Sequence, residues 1–72
     1  MSNTHIYKQI ELVGSSTKSS DDAIAQAIAR ASETLRNLDW FEVTEVRGHI
    51  KDGKIAYWQV GLKIGMRLDQ DD

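Results

Sequence analysis

The sequence predicts an α+β domain with the element order β-α-β-β. Three observations carry that reading. Ile24, Ala27, Ile28, Ala31, Leu35 and Leu38 form one apolar stripe of helical period. The stretch from Ala56 to Leu68 alternates with period two, as a half-buried strand does. Asp52-Gly53 joins that stretch to an earlier strand pattern, and Asp-Gly is a strong two-residue hairpin signal.

Taken in order, His5 to Val13 reads as the first strand. Ile6, Ile10 and Leu12 share one parity, and Lys8 interrupts it, as on an edge strand or at a bulge. Gly14 is expected to end the strand, and residues 15–20 form a polar connection. Ser19 or Ser20 caps the helix, with Ser19-x-x-Asp22 as a capping box and Asp21 and Asp22 at the positive end of the dipole. The helix is expected from about Ser20 to Leu38, with Gln26, Arg30, Glu33 and Arg36 on its polar face and Glu33 within reach of either arginine. From Trp40 to Lys51 the pattern returns to period two. Phe41 and Val43 share one parity and Val46, Gly48 and Ile50 the other, which places a β-bulge near Thr44-Glu45. In the last strand Ala56, Trp58, Val60, Leu62, Ile64, Met66 and Leu68 face one way. Tyr57, Gln59, Gly61, Lys63, Gly65 and Arg67 face the other. Residues 69–72 read as a disordered acidic tail.

Seventy-two residues make one small domain, and a chain this short buries only about 60% of its unfolded surface. Such a core needs a staple. With no cysteine, neither a disulfide nor a thiolate metal site is available, which leaves oligomerisation. Lengths agree. The expected helix spans about 28 Å and the last strand about 43 Å, so one helix leaves apolar sheet uncovered for another subunit. The first residues hold no apolar run, and no stretch matches a membrane span; the expectation is a cytoplasmic protein. A net charge of −2, with nine basic residues interleaved among eleven acids, argues against nucleic-acid binding. Arg47, Lys51, Lys54, Lys63 and Arg67 all fall in the C-terminal half and suit one or two phosphates, although a solvated face of mixed charge is the plainer account.

Trp40 and Gln59 carry the functional reading. The parity of Trp40 against Phe41 and Val43 points its indole away from the core, where a large aromatic is costly unless something flat covers it. Gln59 falls on the same outer face, and its amide both donates and accepts hydrogen bonds in one plane. A platform beside such an edge suits a planar heteroaromatic ligand. Gly61 and Gly65 on that face read as permitting curvature or close subunit approach. His5 and His49 have no third metal ligand at useful spacing and read as surface residues. Asp39, Glu42 and Glu45 lack a nucleophile or base partner for acid–base chemistry. No Ser-His-Asp arrangement or glycine-rich phosphate loop is present.

Over nearly its whole length the chain resembles the dodecins, small flavin-binding proteins. The resemblance runs from Tyr7-Lys8-Gln9-Ile10-Glu11-Leu12-Val13-Gly14 to Gly65-Met66-Arg67-Leu68. It is most specific in residues 34–43 and in Glu45-Val46-Arg47-Gly48. It implies a curved three-stranded antiparallel sheet partly wrapped around one helix, assembled as a hollow homododecamer. It also implies flavins stacked in pairs between tryptophans of related subunits, here Trp40, with Gln59 on the polar edge of the isoalloxazine. Arg47 and Arg67 match positions that meet the FMN phosphate in bacterial members; archaeal members lack them and favour flavins without a phosphate, so riboflavin and lumichrome are further ligands to consider. Bacterial members also hold coenzyme A, for which Lys8, Arg30 and Arg36 are the matching basic positions. Trp58 departs from the family, which usually carries Tyr or Phe there, and its parity assigns it to packing. The expected function is flavin storage and photoprotection without turnover. A flavin-dependent enzyme or electron carrier and a purely structural oligomer are the alternatives.

Overall fold

A computed structural model of the chain describes residues 5–68, so the tail at 69–72 lies outside the described residues. Strand β1 (Tyr7–Ser16), helix α1 (Ser20–Ser32), β2 (Leu38–Lys51) and β3 (Lys54–Arg67) follow in the expected order. The sheet order is β1-β3-β2, and β3 is antiparallel to both neighbours. β1 and β2 therefore run in the same direction, α1 crosses between them, and the last strand inserts into the gap. Paired on both edges, β3 supplies the core: Val60, Leu62 and Ile64 are at most 2% exposed. Ile10, Leu12, Ile24, Ala27, Ile28, Leu35, Leu38 and Met66 pack around the buried cluster of Ala31, Leu62 and Ile64.

Local chemistry explains most boundaries. Ser19 is the N-cap, its Oγ accepting from the Asp22 backbone N–H at 3.0 Å. The second half of the expected capping box does not form. The Asp22 carboxylate instead accepts from Ser16 Oγ at 2.6 Å and from Gln26 Nε2 at 2.8 Å. The turn after Lys51 has two residues, and Asp52 and Gly53 both adopt positive φ (53° and 73°), as a type I′ hairpin requires. The β2–β3 register shifts between Val43 and Glu45, where the bulge was expected, and also near Asp39 and between His49 and Ile50.

Three boundaries differ from the sequence reading. The helix ends at Ser32 instead of reaching Leu38. The Leu35 N–H closes a last turn onto the Ala31 carbonyl (2.9 Å), and Asn37, at φ 64°, turns the chain into β2. Leu35 and Leu38 still reach the core through that turn, which is why they continue the helical stripe without being helical. β2 accordingly begins at Leu38, two residues before Trp40. Gly14 lies inside β1, not at its end: it is buried, and a Cβ there would strike the Ala23 carbonyl of α1. Its missing side chain lets helix and strand approach.

The helix covers β1 and part of β3, while β2 is exposed apart from Leu38. Thirteen helical residues span only about 20 Å, against a long axis of 59 Å for the molecule. The uncovered apolar row is thus on β2, in Phe41 (49% exposed), Val43 and Val46 (54%), and not along β3 as the lengths alone implied.

Candidate functional site

The register resolves the sheet face away from α1 into rows. From one end these are Tyr7–Arg67, Gln9–Gly65–Trp40, Glu11–Lys63–Glu42, Val13–Gly61–Glu45, Ser15–Gln59–Arg47 and Tyr57–His49. Trp40 and Gln59 do share the outer face, as their parity required. Trp58 lies on the opposite face, half-buried between Ser16 and Gly48.

Trp40 lies over Gly65 so closely that a Cβ on residue 65 would fall within the indole. One ring face is therefore spent on the backbone of β3. Tyr7 flanks the indole, with ring centroids 6.2 Å apart and planes tilted by 58°. Trp40 as a residue remains 37% exposed to solvent. Asn37 anchors this end of the sheet, its carbonyl accepting from the Arg67 N–H at 3.0 Å and its Nδ2 donating to the Arg67 carbonyl at 3.1 Å. Gly65 and Tyr7 were not singled out as site residues from sequence. A glycine in the outward parity of β3 was the available signal, and only the pairing with Trp40 gives it meaning.

Gln59 stands six positions from Gly65, about 20 Å along the strand. It borders a recess shared with Ser15, Ser16, Thr17, Gln26 and Tyr57. Beside it Arg47 forms an ion pair with Glu45, both side chains about half exposed. One row further, His49 and Tyr57 stack at 4.7 Å with planes 15° apart. Within one chain Trp40 with Arg67 and Gln59 with Arg47 therefore occupy opposite ends of the outer face. The basic residues of the C-terminal half do not gather into one phosphate cluster either: they run from the hairpin turn at Lys51 and Lys54 to Arg67 at the far end.

Of the three basic positions matched to coenzyme A, one lines a groove. Arg30 lines a groove between α1 and β1 with Leu12, Gly14, Ala27, Thr34 and Leu35, whereas Lys8 and Arg36 are outside that lining. Among the described residues no three His, Cys, Asp or Glu side chains form a metal cluster, and no helix is long and apolar enough to cross a membrane. The carboxyl group of Asp22 is held below its ordinary value by hydrogen bonds from Ser16 and Gln26, with a smaller contribution from Lys18, against a partial offset from desolvation. It serves the helix start and is remote from Trp40.

Comparison with known proteins agrees with this arrangement. Residues 6–69 match the family model Dodecin. A dodecin of Thermus thermophilus is 49% identical over 65 residues, which are 90% of this chain and 94% of that one. The solved dodecin of Streptomyces coelicolor superposes with a TM-score of 0.88 at 58% identity, covering 99% of this chain and all of that one. That of Streptomyces davaonensis gives 0.87 at 56% identity, covering 96% of this chain and all of that one. With a family model matched over residues 6–69 and relatives of 49% and 58% identity covering 90% and 99% of it, the chain belongs to the dodecin family.

Proposed function

We propose that this protein binds flavins without turning them over, storing FMN or riboflavin and quenching its photochemistry. The observation that carries the reading is the indole of Trp40, laid on the Gly65 backbone and still partly exposed in an outward-facing row of the sheet. A planar isoalloxazine stacked there gains aromatic contact of about 0.5–1.5 kcal/mol beyond area burial. The electron-rich indole in contact with an excited flavin lets an electron jump and return before the flavin emits or sensitises oxygen. Gln59 is assigned to the polar edge of the ring, and Arg47 and Arg67 to the phosphate of FMN.

Variants of the Thermus thermophilus dodecin have been solved with one tryptophan replaced by phenylalanine and with each of two arginines replaced by alanine. Those positions stand seven and twenty residues apart in that chain, which is also the spacing of Trp40, Arg47 and Arg67. The correspondence supports treating the three as one functional set.

The separation of Trp40 from Gln59 supports an assembled site. One tricyclic ring does not span about 20 Å of strand, so the two residues that meet one flavin are assigned to different subunits. The exposed apolar row of β2 supports the same homo-oligomer, for which the family's dodecamer is the proposed form. Titration of the ligand-free protein with FMN, riboflavin and lumichrome, followed by flavin fluorescence, tests the function. Strong quenching by an assembled protein supports it. A colourless assembly that leaves all three ligands fluorescent refutes it in favour of a structural oligomer.

A further inference from the structure

Gly65 is opposite Trp40 in the β2–β3 register, and the atoms nearest to its absent Cβ are Cε2, Cζ2 and Nε1 of that indole. The contrast with Gly61, four positions earlier on the same face, is informative. A Cβ at Gly61 would meet the flexible ends of Thr44 and Glu45 at 3.0 and 3.2 Å, which can swing aside. At Gly65 it would meet a rigid bicycle, which cannot bend away and must move as a whole.

We infer that Gly65 is a positioning residue for ligand binding: by carrying no side chain it seats the Trp40 indole flat on β3. That seat sets the height and tilt at which a planar ring stacks. A methyl group at residue 65 pushes the indole off the sheet and into the space where the ligand ring lies. The effect falls on the ring system shared by all flavins, and is blind to the ribityl chain and phosphate. The inference rests on the reading of Trp40 as the flavin platform.

The test uses Gly65→Ala in the assembled protein with lumichrome, riboflavin and FMN as probes. Affinity for all three should fall together by roughly five- to tenfold, the upper part of the range of a lost stacking contact, and part of the bound flavin's fluorescence should return. In a Trp40→Ala background the same substitution should change the residual affinity by less than about twofold, because it acts through the indole. In ligand-free Trp58→Phe protein, where Trp40 is the sole tryptophan, Gly65→Ala should shift the emission to the red. Gly61→Ala should leave that emission unchanged. Unchanged lumichrome affinity in an assembled Gly65→Ala protein, or losses that multiply in the double variant, would overturn the inference. Should Gly65→Ala fail to assemble, the Trp40→Ala/Gly65→Ala protein decides: recovery of assembly shows that the methyl group acts through the indole, and continued failure overturns the inference. A wild-type protein that binds no flavin removes the platform itself, a result that the emission measurement on ligand-free protein separates from a failure of the seat.

Discussion

If Trp40 and Gln59 of one chain lie about 20 Å apart along β3, a flavin that touches both must bridge two subunits, and mixing damaged subunits should regenerate sites. Each damage has a size that the structure sets. About 37% of the Trp40 surface is open. Of the roughly 250 Å² a tryptophan can bury, that leaves about 90 Å² for a ligand, or about 2 kcal/mol at 25 cal/mol per Å². Adding about 1 kcal/mol for ring stacking gives about 3 kcal/mol, a loss near hundredfold for Trp40→Ala. Gln59→Ala removes hydrogen bonds of about 0.5–1.5 kcal/mol each, so about tenfold. When the two variants are unfolded together at equal amounts and reassembled, chance brings an intact Trp40 and an intact Gln59 to about one quarter of the sites formed between subunits. The assay is riboflavin titration of the mixed assembly by fluorescence quenching, with each pure variant reassembled in parallel. The expected result is a tight-binding fraction near one quarter that neither parent shows. A mixed assembly whose titration is only the sum of the two parents would refute the reasoning, since it would mean that both residues serve a ligand from the same chain.

Other expectations follow from single contacts. Arg47→Ala and Arg67→Ala should each weaken FMN more than riboflavin, by the about 1.5–3 kcal/mol of a charge-assisted hydrogen bond; equal losses for both ligands in isothermal titration would assign the arginines to assembly. Val46→Asp places a charge in the exposed apolar row of β2, where burial without a partner costs several kcal/mol. Sedimentation should then show a species near the 8.1 kDa of one chain, and an intact oligomer would mean that this row is not an interface. Asp22 has a lowered folded-state pKa, so the stability it adds is present above its ordinary value of 3.8 and is lost as pH falls through the lower folded one. On moving from about pH 5 to about pH 2 the melting temperature of wild type should therefore fall more than that of Asp22→Asn; parallel declines would remove Asp22 from the acid response.

What the sequence determined by itself was local. The Ser19 cap, the Asp52-Gly53 turn, the bulge after Val43 and the outward parity of Trp40 and Gln59 each depend on residues within a few positions of one another, and all appear in the fold. The element order also followed from these patterns, and the family resemblance added Arg47 and Arg67 to the proposed site and the dodecamer to the expected assembly. Tertiary structure decided what pairing across the chain controls. Parity assigns a residue to a face but not to a row, so only the register separates Trp40 from Gln59 and brings Gly65 beneath the indole. The insertion of β3 between β1 and β2 moves the uncovered apolar surface from β3 to β2, because α1 packs over β1 and β3 and leaves the β2 edge bare. Gly14 reads as a strand end until α1 is packed against it, and Leu35 and Leu38 read as helix because burial imposes the same spacing on the turn that follows. In each case the missing information was which segments touch, and that is set by the free energy of burying them together rather than by any one segment.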